Sequence, residues 1–381
     1  MAIAAEKGYE AMTVADILEM SGVSRSAFYV HFANKGECLT AAAAELVEPA
    51  LATLDPDPGG SPPPPGAAVG RLLAMLASQP AAARVGFVEL HAVGAAGEAV
   101  ADRAFDAFSD RAEELGRGAG RPPLPSALRR AVVGGVRKLI HSSIARDELA
   151  ALEAQASGIG EWIEGVEPPP EALHVPRRPR PVPGGFKGYT PAERIARAVA
   201  SLVAEKGYGA LSTDDVAAAA AISLSTFYEN FADKRDAVLG TLEMSGAQIT
   251  ALAVPAARRA AGWQEGVRAL YEAIGHYFAA EPAMAELALV GVYGAGREAL
   301  RRRDRVIESL AAMLAPGFAE NPAAPPVSAE AAAAAAYSLM REQVRSSGPA
   351  SIAAAIPLAT YVTLVGFTGP ERALAVANGA A

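Results

Sequence analysis

One cysteine, Cys38, is the whole thiol content of this 381-residue chain. A single thiol excludes an internal disulfide framework and a Cys-rich zinc site, and it fits a reducing, cytoplasmic setting. Net positive charge is also missing. The formal charge is −8, which excludes a generally basic nucleic-acid coat but leaves a local basic patch open. The opening MAIAAEKGYE lacks a basic stretch followed by an apolar one, so it does not read as a secretory signal. The longest apolar run, residues 352–367, carries Pro357 and reads as too short to span a bilayer, so no membrane partner is expected. Sustained two-residue alternation is absent, and Ala, Leu, Glu and Arg dominate, which predicts an almost entirely α-helical protein. The five histidines (His31, His91, His141, His174 and His276) show no HExxH spacing, and no GxSxG motif occurs. No catalytic residue, cofactor or metal is therefore expected, and the chain does not read as an enzyme.

What the chain does have is a repeat. Residues 5–40, AEKGYEAMTVADILEMSGVSRSAFYVHFANKGECLT, lie over residues 204–239, AEKGYGALSTDDVAAAAAISLSTFYENFADKRDAVL, without a gap and at a constant offset. A weaker echo follows, AVGAAGEA at 92–99 against VYGAGREA at 292–299. The period is about half the chain, so two copies of one complete unit are fused rather than stacked as a solenoid. Pro- and Gly-rich segments fall where that division puts them. LDPDPGGSPPPPG (54–66) interrupts the first copy, and the Pro/Arg-rich stretch 166–189 reads as a linker.

Each repeat reads as a helix-turn-helix. Thr190, Pro191 and Glu193 form a capping-box start, and Ile195, Val199, Leu202 and Val203 make one apolar stripe. Gly207 stands where a left-handed C-terminal residue belongs. A second start comes at Thr13 or Ser212, each with an aspartate three residues on, and a third at Ser24 or Ser223. Two short helices joined by a tight turn describe the motif. Phe28, Phe32, Phe227 and Phe231 should point inward.

The pattern AEKGY, then [TS]-x-x-D-[IV], then GVSRSAFYVHFANKGECL with its K-x-[ED] resembles the TetR family of transcriptional repressors. The likeness covers about 40 residues of the first copy and about 50 of the second. It implies an all-α fold of two tandem units. Each has an N-terminal DNA-binding head and a helical body that holds a small hydrophobic ligand and pairs with another body. The expected division is a first head at 1–45, a first body at 67–165, the linker at 166–189, a second head at 190–240 and a second body at 241–377. Residues 190–199 have no counterpart before Met1, so the first head's first helix is expected to be truncated.

The resemblance also assigns roles. In the first head Arg25 and Ser26 face the major groove, while Thr13, Tyr29, His31 and Lys35 lie on the phosphate side. In the second, Leu224, Ser225 and Thr226 face the groove, and Ser212, Thr213, Tyr228, Asn230 and Lys234 the phosphates. Tyr29 and Tyr228 also admit a plainer reading, an exposed aromatic packed on the next helix. The linker's Arg177, Arg178, Arg180 and Lys187 form either a minor-groove arm or a solvated tether. Both heads are acidic: residues 1–40 carry three basic and five acidic groups, and residues 190–240 five and seven.

The function expected is a sequence-specific repressor of a double-stranded DNA operator, released by a small hydrophobic ligand. The alternative is a helical ligand-sensing or protein-interaction module whose reading heads have decayed. Bodies pair either within one chain, as a pseudo-dimer through faces near 126–163 and 329–377, or between chains as a homodimer. Segments 85–93, 132–144, 285–293 and 333–344 are expected to line apolar pockets. The clusters at 127–130 and 300–305 read as solvated helix faces, and GVYGAG (291–296) as a close-packing segment rather than a nucleotide loop.

Overall fold

The computed structural model describes residues 1–175, 188 and 190–379, and these form helices, turns and loops with no strand among them. The linker's Arg177, Arg178, Arg180 and Lys187 lie outside the described residues. Two compact units emerge. One comprises Met1–Pro125 and Val136–Glu164, the other Ser126–Gly135 and Gly165–Ala381.

The first unit begins with α1 (Ala2–Lys7), α2 (Val14–Ser21), α3 (Arg25–His31) and α4 (Lys35–Ala44). Next come α5 (Val47–Ala52), α6 (Pro65–Ser78), α7 (Pro80–Phe87), α8 (Ala95–Gly118), α9 (Ser126–Arg146, whose Ser126–Gly135 stretch is counted with the second unit), α10 (Leu149–Glu153) and α11 (Ala156–Gly165). The head is anchored by one apolar cluster, in which Ile3, Ala4, Met12, Leu39 and Ala43 meet Val85, Leu90, Val100 and Ala101 of the body. Burying that many aliphatic side chains is the main force holding this head in place.

The second unit repeats the plan with α12 (Pro191–Lys206), α13 (Thr213–Ala219), α14 (Leu224–Asn230) and α15 (Lys234–Arg258). Its body adds α16 (Trp263–Ala280), α17 (Pro282–Leu289), α18 (Arg297–Ala312), α19 (Ala315–Glu320), α20 (Ser328–Ser347), α21 (Ile356–Thr368) and α22 (Pro370–Asn378). Here the first helix is long, and its apolar stripe (Ile195, Val199 and Val203, with Ala196, Ala198 and Ala200) is buried. Alanines 331–336 of α20 are all buried, which lets neighbouring helices approach closely.

Three details depart from the sequence reading. Gly207 has positive φ but an extended ψ of 163°, a region essentially reserved for glycine rather than the left-handed helical one. Gly8 in the first head does the same, with φ 83° and ψ 153°. The apolar stretch near the C-terminus is helical over Pro349–Thr368, which with Lys234–Arg258 makes two segments long and apolar enough to cross a membrane. Most of Pro349–Thr368 is buried inside the second unit, so it serves as a core element there. The 300–305 cluster is only in part a solvated face, because Arg301 and Arg305 are exposed while Leu300, Arg303 and Asp304 are buried.

Candidate nucleic-acid interface

The turn between the two short helices is fixed by side-chain caps. In the first head Thr13 Oγ1 accepts the Asp16 N–H at 3.2 Å, and Asp16 Oδ2 accepts the Thr13 N–H at 2.8 Å. The Lys7 ammonium donates to Asp16 Oδ1 at 2.7 Å, tying α1 to this box. The second head keeps the cap and the lysine tie, with Ser212 Oγ accepting the Asp215 N–H and donating to Asp215 Oδ2, and Lys206 2.5 Å from Asp215, but without the return bond from the backbone N–H of Ser212. The hydrogen bond from Lys7, followed by those from Thr13, holds the Asp16 carboxyl down at about 2. Lys206, then Ser212, lowers Asp215 in the same way. Ser24 and Ser223 cap the third helices by accepting the N–H groups of Ala27 and Thr226.

Those third helices, α3 and α14, are held by one side chain each. Phe28 is 4% exposed and Phe227 fully buried, while Phe32 and Phe231 are only half-buried. The latter two sit at the helices' ends in extended backbone, with ring centroids 5.6 and 6.3 Å from Phe28 and Phe227. Every other residue of α3 is exposed, and so is α14 apart from Phe227 and half-buried Thr226. Tyr29 and Tyr228 are 48% and 56% exposed and stand edge-on to Phe28 and Phe227 at 5.3 and 5.4 Å. Their hydroxyls make no hydrogen bond among the described residues. Each ring thus leans on the phenylalanine before it in its own helix and stays exposed.

Several polar groups assigned to DNA are already engaged inside the head. Lys35 Nζ donates to the carbonyls of Tyr9, Glu10 and Met12 at 2.9, 3.0 and 2.8 Å, and it lies 4.6 Å from the Tyr9 ring centroid. Lys234 makes the matching clasp on Leu211, at 2.9 Å, and on the Tyr208 ring. The hydroxyls of Thr13 and Ser212 are taken up by the capping aspartates Asp16 and Asp215. Asn230 Nδ2 turns back to the Thr226 carbonyl at 2.8 Å, and the hydroxyls of Ser24 and Ser26 are 3.2 Å apart. Thr213 opens α13 half-buried, and His31 is exposed at the end of α3.

The cations left over differ between the heads. Of Lys7, Arg25 and Lys35, only Arg25 makes no hydrogen bond or ion pair among the described residues, and it is exposed. Its counterpart Leu224 is 41% exposed. The second head's uncommitted cation is Arg235, exposed beside Lys234 at the start of α15. The sequence reading missed Arg235. The signal was its place next to a matched lysine, but Gly36 stands at that position in the first copy and concealed it.

Behind each head, a one-turn 3-10 helix joins head to body. In the first unit this is Glu89–Val93, and Glu89 Oε2 accepts the Tyr9 N–H at 2.9 Å. The same turn carries His91, whose Nδ1 is 2.6 Å from Glu98 Oε1 and whose ring lies 6.5 Å from that of His141. His91 and His141 are both buried, and Lys138 beside them is buried and hydrogen-bonded to Ser142. In the second unit the turn is Gly291–Ala295. A Cβ on Gly291 would come within 2.7 Å of Val203 of α12, so glycine there permits close packing on the head. Tyr293 of that turn carries two guanidiniums, Arg303 at 4.7 Å and Arg341 at 4.4 Å from its ring centroid. Segments 85–93 and 132–144 thus meet at His91 and His141, and segments 285–293 and 333–344 at Tyr293 and Arg341, in each case around polar groups rather than purely apolar ones.

A match to a known family falls on the two heads. The family model for bacterial regulatory proteins of the tetR family matches residues 1–42 and 195–239. No curated protein matches the chain. A solved structure of the fatty acid degradation regulator FadR from Bacillus halodurans is similar with a TM-score of 0.39 and 14% identity, covering 46% of this chain and 94% of that one. The transcriptional regulator FadR from Bacillus subtilis, solved in complex with stearoyl-CoA, gives 0.38 and 13%, covering 46% and 97%. Both heads thus match the DNA-binding unit of that family, which supports a TetR-like DNA-binding regulator.

Proposed function

We propose that the protein is a sequence-specific, cytoplasmic transcriptional repressor that grips a double-stranded operator with both heads and lets go when a small ligand enters its bodies. The observation that carries this reading is the exposure of α3 and α14. Each is pinned by one buried phenylalanine and otherwise offers its whole surface, as a helix lying in a major groove must. On the phosphate side, Tyr29 and Tyr228 present uncommitted hydroxyls, and His31, Thr213 and Asn230 stand on the same two short helices or the turn before them. Lys35 and Lys234 contribute by fixing the loop that precedes α2 or α13, and their long stems reach the same side.

Release needs a path from ligand to head, and the 3-10 turns supply one. Glu89 holds the Tyr9 amide while His91, two residues on, reaches the buried polar centre of its body. In the second unit the turn meets the head by packing instead, Gly291 lying close to Val203 of α12 while Tyr293 faces the buried Arg303 and Arg341. A hydrophobic ligand with a polar end, seated against either centre, would shift the turn and with it the head. The two bodies pair within one chain, because the linker holds each at high local concentration for the other. Sedimentation at low concentration checks that pairing, and a species of twice 39.0 kDa alone would replace it with a homodimer.

One observation favours a second reading, a ligand-sensing module with decayed heads. Both heads are net acidic, and two of the three cations in the first are committed internally. Titrating the chain against genomic duplex fragments at several salt concentrations separates the two. A repressor retains selected fragments with affinity that falls steeply as salt rises, whereas a decayed head retains none above random duplex.

A further inference from the structure

We propose that the two heads read different half-sites, so that one chain recognises a non-palindromic operator with a guanine-anchored half and a half read mainly through apolar contact. The inference rests on the regulator reading above and adds what each head selects.

The base-reading surfaces carry different chemistry at the same places. In α3 the guanidinium of Arg25 is exposed and uncommitted. A planar fork of donors in the major groove matches the O6 and N7 acceptors of guanine bidentately. In α14 that position is Leu224, 41% exposed, which has only methyl groups to offer and suits a thymine C5-methyl. One turn further on, the contrast reverses. Val30 of α3 is 77% exposed, whereas α14 has exposed Glu229 there, accepting from Ser225 Oγ at 3.5 Å. A carboxylate cannot approach phosphate favourably, but it accepts from the N4 amino group of cytosine.

Phosphate anchoring is divided differently as well. The uncommitted cation of the second head, Arg235, lies off the reading helix at the start of α15. Its counterpart Gly36 is buried, and a Cβ there would meet the Tyr9 hydroxyl at 2.9 Å. The first head therefore has no room for a cation at that position. Its one free positive charge points at bases, while that of the second head serves the backbone. Phosphate contacts position a protein without specifying sequence, whereas base contacts specify. The first head is accordingly the stricter reader.

Selection of binding sites from random duplexes with the full chain tests this. The expected result is a motif whose halves differ, one containing an essential G. Arg25→Ala should cost on the order of ten- to a hundredfold in preference at that G and leave the other half unchanged. Arg235→Ala should weaken all sequences alike and reduce the salt slope by about 1. The double change Leu224→Arg with Glu229→Val gives the second head the first one's reading residues, and it should move the second half towards the first. All four positions are exposed, and unchanged thermal unfolding of each variant verifies the fold. Recovery of a symmetric palindrome, or an Arg25→Ala variant with unchanged base preference, overturns the inference while leaving a DNA-binding regulator in place. Recovery of no motif at all overturns the regulator reading and this inference together.

Discussion

Glu89 holds the head of the first unit by its backbone, its carboxylate accepting the Tyr9 N–H at 2.9 Å across 80 residues of chain. Glu89 is buried, with Arg84 Nε 3.9 Å from its other oxygen, so this acceptor is shielded from water. Replacing Glu89 with Ala leaves a half-buried amide without its acceptor, at a cost of about 1–3 kcal/mol. Amide exchange at Tyr9 should speed up, while exchange in the second head stays as it was. Glu89→Gln keeps an acceptor oxygen and should restore most of the protection. Unchanged exchange at Tyr9 in the Ala variant would remove the turn as the link between body and head.

The two helix-turn-helix turns make the same backbone demand of different residues. Gly22 has φ 68° and ψ 8°, and at the aligned position Ala221 has φ 52°. A left-handed conformation costs a residue with a Cβ roughly 1 kcal/mol or more relative to glycine. Ala221 is held there by the Ile222 N–H bonding back to the Ala217 carbonyl and by Arg194 donating to the Ala221 carbonyl. Ala221→Gly should therefore stabilise the second head, offset in part by glycine's extra freedom in the unfolded chain. Gly22→Ala should destabilise the first by about 1 kcal/mol. Chemical denaturation of both variants gives the signs, and equal signs would show that the turns are not equivalent.

Acid should loosen both heads through their capping aspartates, Asp16 and Asp215. Asp16 titrates at about 2 in the folded head against an ordinary value of 3.8, and Asp215 is also lowered. A depressed carboxyl stabilises the fold above its unfolded value, and that contribution is lost as pH falls through the folded one. For Asp16 the loss lies between about pH 4 and 2. Both carboxylates are near the surface, so added salt should weaken the effect. Helicity followed from pH 5 to 2 should show a step that Asp16→Asn and Asp215→Asn together abolish. A step surviving in that double variant would place the acid-sensitive groups elsewhere.

The heads were legible in the sequence because their determinants are local. A cap and its partner lie three residues apart, as in Thr13 with Asp16, and an exposed reading helix follows from one apolar residue among polar ones. What escaped depends on distant chain. Lys35 resembles a phosphate ligand by position, yet its carbonyl partners lie 23 to 26 residues away. The arginine run at 301–303 looks like a solvated face until α20 packs Tyr337 and Arg341 around it. Helices α4 and α15 begin alike, but α4 stops at Ala44 while α15 runs to Arg258. After α4 the chain restarts at once as α5 with Pro49 in its first turn, where a missing N–H costs no hydrogen bond, whereas α15 carries Pro255 inside it near its end.

The buried arginines of the second body give the sharpest energetic test. Arg303 and Asp304 are adjacent and both buried, with Nε and Nη2 of the arginine donating to Oδ1 at 2.9 and 2.7 Å. The Arg303 guanidinium also faces the rings of Tyr293 and Tyr337, and Arg341 shares the Tyr293 ring. Removing one partner of a buried ion pair leaves a charge without its compensation, which typically costs about 3–5 kcal/mol. Asp304→Ala should therefore destabilise the second unit by that order, and Arg303→Met should do comparable harm by stranding the carboxylate. Removing both together eliminates the stranded charge, so the double variant should cost clearly less than the two single changes combined. Chemical denaturation of the four proteins closes the cycle. Strict additivity would mean that the pair is not coupled, and the packing of Arg303 between the two tyrosines, rather than its ion pair, would then carry the stability of this centre.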